Sequence, residues 1–216
     1  MTARILLATT NEGKIREIRA LLAGLPTELV GLDAYRGIAA PEETGATFAE
    51  NARLKALYYS GATGLPAVAD DSGLEIDALQ GAPGTESARF GGVDASYPEK
   101  FSRLYDALHR AGAPRSPARF VCALALAEDD SILFEARGTV EGEIAPHPAG
   151  TGGFGYDPIF YYPPYGCTLA EVPAHRKAAV SHRGAAFRAL RTYLEDRLRA
   201  PGSSLRGGSG RSQPGA

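Results

Sequence analysis

Apolar residues recur along this chain with two different spacings, and the changes between them mark out its elements. Residues 4–8 (RILLA) form a short apolar run that predicts a buried strand. Asn11 then offers a helix cap, and Ile15, Ile18 and Leu22 share one face of the helix that follows. Thr47 and Glu50 stand at capping-box spacing before a helix with Phe48, Ala52, Ala56 and Tyr59 on one side. Residues 66–70 (PAVAD) and 74–79 (LEIDAL) predict a second and a third strand, separated by a tight break at Asp71-Ser72-Gly73. Ser96 and Glu99 repeat the capping pattern ahead of Phe101, Leu104 and Leu108. Residues 120–127 (FVCALALA) read as a long strand, 128–130 as a turn, 132–136 as its antiparallel partner and 138–144 as a further strand. Ser181 caps a last helix with Phe187, Leu190, Leu194 and Leu198 on its apolar side.

Helices alternate with strands early and strands run together later. That order predicts an α/β fold with a mixed sheet. Residues 1–198 read as one domain, and 199–216, rich in Gly, Ser, Pro and Arg, as a disordered tail.

Composition narrows the function. With 216 residues, 44% of them hydrophobic, the chain can build a real core. A net charge of −2 argues against a nucleic-acid-coating protein. No apolar run reaches the ~18–20 residues of a membrane span, and the start has no signal-peptide pattern. Cys122 and Cys167 are too few for a disulfide framework. A cytoplasmic protein without membrane or nucleic-acid partners is expected, with Cys122 a small core residue.

Five segments carry candidate chemistry. Thr9, Thr10, Asn11, Glu12, Gly13 and Lys14 join the first strand to the first helix. Free N–H groups, the helix dipole and Lys14 suit a phosphate there, although an ordinary strand–helix turn has the same composition. Asp70 and Asp71, followed by Ser72 and Gly73, are adjacent carboxylates that point in different directions from an extended backbone and, if buried, need a cation or a proton to resolve their repulsion. Such oxygens suit magnesium, and a solvated turn fits as well. Glu42-Glu43-Thr44-Gly45 is either a source of another metal ligand or a solvated acidic loop. Residues 150–158 contain G-x-G-x-x-G, but Tyr156-Asp157-Pro158 blocks the helix that a dinucleotide fold needs. A flexible aromatic loop suits base stacking, and a glycine-rich hairpin with core aromatics is the plainer alternative. Lys177, His182 and Arg183 cluster before and at the start of the last helix, where they either meet an anion or base or lie on the surface.

Together and in this order, these segments resemble one family. TTNEGK at 9–14, EETG at 42–45, TFAENA at 47–52 and ADDSGLEIDAL at 69–79 match its motifs, as do GAPGTESARF at 81–90, GTGGFGYDPIF at 150–160 and SHRG at 181–184. The chain is similar to the inosine triphosphatase or Ham1-like pyrophosphatases from residue 4 to about 198. The resemblance implies an elongated mixed-sheet fold, two lobes around a cleft and a homodimer. It also implies hydrolysis of ITP, dITP and XTP to monophosphate and pyrophosphate with Mg2+. It makes Asn11 and Lys14 triphosphate contacts, with residues 9–13 forming the rest of that loop, and assigns magnesium to Glu42 and Asp71, with Asp70 a partner or ligand. Asp71 becomes the proton acceptor and Ser72 a substrate contact. Phe154, Gly155, Tyr156 and Asp157 become the base loop, with Phe154 the stacking ring. Lys177 becomes a phosphate contact, and His182 and Arg183 the purine readers. Two features depart from the family pattern. Thr10 stands where Gly or Asn is common, and Ala174-His175-Arg176 stand where an acid is frequent. A Maf-like pyrophosphatase of other modified nucleotides and a non-catalytic nucleotide sensor are the alternatives. Comparing ITP with m7GTP and UTP separates the first, and magnesium-dependent pyrophosphate release the second.

Overall fold

The computed structural model describes residues 3–92 and 94–199. The tail expected at 199–216 therefore lies outside the described residues, except Arg199, which closes the last helix. The chain runs β1 (Ala3–Leu7), α1 (Glu12–Leu21), β2 (Thr27–Gly31), α2 (Phe48–Thr63), β3 (Ala67–Ile76) and α3 (Tyr97–Arg110). It continues through β4 (Pro117–Glu128), β5 (Ser131–Ile144), β6 (Phe160–Tyr162), β7 (Cys167–Thr168), α4 (Ala174–Val180) and α5 (His182–Arg199).

The strands form one seven-stranded sheet in the order β2-β1-β3-β4-β5-β6-β7. β1 is parallel to β2 and β3, and every later pair is antiparallel. The mixed α/β sheet expected from the element order is present. Two predicted interruptions are not. β3 runs unbroken through Asp71, Ser72 and Gly73, which pair with Ala123, Cys122 and Val121 of β4. β5 likewise joins the two strands predicted at 132–136 and 138–144. The Asp-Asp-Ser-Gly composition looks like a turn, but long-range partners satisfy its side chains and leave the backbone free to pair.

The extended backbone of β3 sends alternate residues to opposite faces. Val68 joins a core with Ile18 and Leu22 of α1 and Phe187, Leu190 and Leu194 of α5. Ala67 and Ala69 join the opposite core with Phe48, Ala52, Ala56 and Tyr59 of α2. A third core gathers Leu104 and Leu108 of α3 with Phe120, Ile144 and Phe160 further along the sheet. Each fully buried Leu contributes about 1.5–3 kcal/mol relative to an exposed one.

Two local features place the site. Thr47 caps α2 in a complete capping box with Glu50, which fixes where the helix begins and so where Asn51 and Lys55 point. Thr47→Ala should lower stability by about 1 kcal/mol, read as a smaller urea midpoint at constant slope. At Gly138 a side chain would collide with the His182 carbonyl at 2.1 Å. Only glycine lets the start of α5 settle this closely on β5, which brings His182 and Arg183 inward.

Candidate active site

A cleft of about 340 Å³ opens where the second and third cores meet. It draws on most of the segments chosen from the sequence. Thr9, Thr10, Asn11 and Lys14 line it from the first loop, and Asp71 and Ser72 from β3. Phe154, Gly155, Tyr156 and Asp157 come from the glycine-rich loop, and Lys177, His182 and Arg183 from α4 and α5. Segments more than a hundred residues apart in sequence thus share one space.

At one end the charges alternate in sign. Lys55 Nζ donates to Glu43 Oε1 at 2.7 Å and to Asp71 Oδ1 at 3.0 Å. Asn51 Nδ2 donates to the other Asp71 oxygen at 3.2 Å. Burial raises the Asp71 pKa, the Lys55 charge pulls it down, and Glu43 adds to the rise, leaving it above the usual carboxylate range. Burial works against the charge on Lys55, but Asp71 and Glu43 outweigh it and raise its pKa. Lys14 Nζ lies 3.0 Å from Asp70 Oδ2 and 3.4 Å from the Asp70 carbonyl, at the same end.

Asp70 and Asp71 are neighbours that never compete for one space. The pleat sends Asp71 towards α2 and Asp70 to the α5 side, where Arg183 Nη2 reaches it at 3.1 Å. Burial alone would raise the Asp70 pKa, yet Lys14, Arg183 and Lys55 hold it far below the usual carboxylate range. Asp70 is 2% exposed and does not line the cleft, so it supports the site from behind.

Three more residues named from the sequence, Glu42, Glu12 and Gly13, stand outside the cleft lining. Glu43, not Glu42, enters the cleft: Glu42 is exposed, because adjacent residues of an extended segment point opposite ways. Glu12 is exposed on the first turn of α1, outside the cleft. Gly13 is buried under Phe154, whose ring lies 2.6 Å from where a side chain on Gly13 would begin. Asn11 uses its Oδ1 to cap α1, accepting from Lys14 N at 3.1 Å.

At the other end a chain of ion pairs holds the aromatic loop. Asp157 accepts from Phe154 N at 2.8 Å and from Lys177 at 2.5 Å. Glu17 of α1 accepts from Lys177 at 2.7 Å and from Arg183 at 2.8 Å. Arg183 also donates to Ser72 Oγ at 2.7 Å and through Nε and Nη2 to Asp70. Those four bonds leave one of its five N–H groups for a ligand. Lys177 and Arg183 stand 4.8 and 5.5 Å from the Phe154 ring centre. The extra positive charge of the 174–176 segment does not enter this network: His175 and Arg176 are exposed, and Arg176 lies over Tyr165 at 4.3 Å. Cys122 is a buried core thiol, pushed up to about 12 by burial and by Asp70, so it stays protonated.

His182 stacks on Phe120 at 4.9 Å, and its buried Nδ1 has no partner among the described residues. Burial, then Arg183 and Lys177, push its pKa well below 6.5. The unfolded chain therefore takes up a proton that the fold refuses, and stability falls as pH drops below about 6.5. We expect the wild type to lose up to about 1.4 kcal/mol more per pH unit than His182→Gln over that acid range. Urea midpoints measured at several pH values check this, and equal slopes would refute it.

The sequence motifs name neither Glu17 nor Lys55 as a site residue, and Glu43 only as part of the acidic 42–45 segment. A signal for Lys55 exists: Asn51 and Lys55, one helical turn apart, interrupt the apolar face of α2. Glu17 carries no such signal, because its partners lie 160 and 166 residues away.

Among the described residues, no cluster of three or more His, Cys, Asp or Glu side chains forms a metal cage. Glu43 and Asp71 do converge on one cation, the Lys55 ammonium. Two carboxylates fit a magnesium ion that arrives with phosphate oxygens and keeps waters, and do not fit a closed protein cage. No helix among the described residues is long and apolar enough to cross a membrane.

Comparison with known proteins places this arrangement. The chain is 51% identical over 197 residues to a dITP/XTP pyrophosphatase of Streptomyces coelicolor, covering 90% of this chain and 98% of that one. It is 48% identical over 196 residues to a dITP/XTP pyrophosphatase of Yersinia pseudotuberculosis, covering 89% and 98%. The solved structure of a HAM1 protein from Coxiella burnetii superposes with a TM-score of 0.84 at 42% identity, covering 90% and 99%. The Ham1 family model matches residues 5–193, and the chain belongs to the Ham1 family.

Proposed function

We propose that this protein is a nucleoside-triphosphate pyrophosphatase acting on inosine- and xanthosine-type nucleotides, ITP, dITP and XTP. One observation carries the reading. A single cleft holds the Lys14–Asp71–Lys55–Glu43 charge cluster and, with it, Phe154 and Arg183. The relatives named dITP/XTP pyrophosphatase support the substrate class.

In this reading Lys14 and Lys55 bind the phosphate oxygens, and Thr9, Thr10 and the start of α1 complete the cradle. Glu43 and Asp71 would hold magnesium, which would supply charge neutralisation at the phosphates. Asp71, its pKa raised by burial, accepts the proton of the attacking water. Water oxygen bonds to phosphorus, the α–β phosphoanhydride breaks, and pyrophosphate leaves against the lysine charges. Phe154 stacks on the base while His182 and Arg183 face its polar edge, and Lys177 adds positive charge for the phosphates. The remaining Arg183 N–H suits a 6-oxo acceptor and leaves a 6-amino group unpaired. That difference is worth about 1–3 kcal/mol, or roughly five- to 150-fold in preference. Cytoplasmic location and a homodimer complete the proposal on the family resemblance, and light scattering checks the dimer.

A steady-state panel tests it. ITP, dITP and XTP should turn over with magnesium and stop without it, and ATP, UTP and m7GTP should lag. Equal rates on ATP and ITP would refute the base assignment.

A further inference from the structure

Tyr97 opens α3 and lies outside the segments chosen from the sequence as chemistry-bearing. It nevertheless lines the cleft beside Gly155 and Tyr156. Its ring meets Tyr156 edge-on, with centroids 5.4 Å apart at 90°. The Lys100 ammonium stands 5.0 Å from its centre. Both neighbours are themselves fixed. Tyr156 donates its hydroxyl to the Ser87 carbonyl at 2.8 Å, and buried Lys100 donates to the Ala88 carbonyl at 2.6 Å. Edge-to-face and cation–π contacts thus hold the Tyr97 ring in one pose.

The hydroxyl is left over. Tyr97 is 37% exposed, and its Oη has no hydrogen-bond partner among the described residues. It sits over the aromatic loop, 3.5 Å from where a side chain on Gly155 would begin. Gly155 has φ +67°, so that position stays open beneath the ring. A clamped ring whose solvent-facing hydroxyl has no protein partner, at the wall of a cleft, is preorganised for a ligand's polar group.

We infer that Tyr97 contacts the substrate at the nucleoside end of the cleft, through one hydrogen bond from its hydroxyl to the base or sugar. The inference rests on the nucleotide reading above and adds a contact that the sequence motifs do not contain.

Tyr97→Phe keeps the ring and removes only the hydroxyl. Its KM for ITP should rise about two- to tenfold with kcat unchanged, the range of one hydrogen bond. Inorganic tripolyphosphate, which has no nucleoside, should inhibit wild type and variant with the same constant. Tyr97→Ala should raise KM further. A KM increase on ITP and dITP alike puts the contact on the base or a shared sugar atom, and an increase on ITP alone puts it on the 2′-hydroxyl. Unchanged KM on every nucleotide, or an equal loss of tripolyphosphate binding, would overturn the contact. Wild-type enzyme that fails to turn over ITP at all would instead overturn the nucleotide reading.

Discussion

Asp71→Asn should lower kcat on ITP by about 10²–10⁴ while nucleotide binding remains measurable by calorimetry. The two side chains have nearly the same shape, so Lys55 keeps an oxygen to meet at 3.0 Å, while the new NH2 faces the Asn51 donor and costs that one hydrogen bond. What disappears is the ability to take a proton and one negative charge beside Lys55. The phosphate contacts from Lys14 and the first loop remain, so binding should survive where chemistry does not. An unchanged turnover number in Asp71→Asn would remove it from the role of base.

Arg183→Ala should destabilise the fold by about 3–5 kcal/mol, the cost of leaving buried carboxylates without their partner. Arg183 is 1% exposed and holds Asp70 and Glu17 at once. Without it, Asp70 keeps Lys14, and Glu17 keeps Lys177. Neither lysine replaces the planar fork that also reaches Ser72. Against a typical domain stability of about 5–15 kcal/mol this is a large share, and a urea melt should show it directly. Arg183→Lys should recover only part, because one ammonium cannot span all three partners. A loss below about 1 kcal/mol would mean that Asp70 and Glu17 are less desolvated than the structure shows. Whatever protein remains folded should also lose part of its ITP-over-ATP preference.

What was legible in the sequence follows from how local each signal is. The caps at Asn11, Thr47 and Ser96 were readable because their partners lie three residues away. The apolar faces of α2, α3 and α5 were readable from periodicity. Asp71-Ser72-Gly73 was misread because composition there favours a turn. Its strand conformation depends on Lys55 and Asn51 for Asp71, and on Arg183, 113 residues away, for Asp70. β2, α4, β6 and β7 were missed because they are short, and tertiary pairing decides them more than propensity does. Motif identity located the acidic segment but not which glutamate turns inward. That depends on the phase of an extended backbone, which Glu42-Glu43 alone does not set.

The most direct measurement is product analysis of ITP hydrolysis with magnesium, resolving phosphorus species by anion exchange. One pyrophosphate should be released for each IMP, with no IDP and no orthophosphate at early times. Release of orthophosphate with IDP would mean that Lys14, Lys55 and Asp71 do not hold the triphosphate for attack at the inner anhydride, and the assignment of this cleft would be wrong.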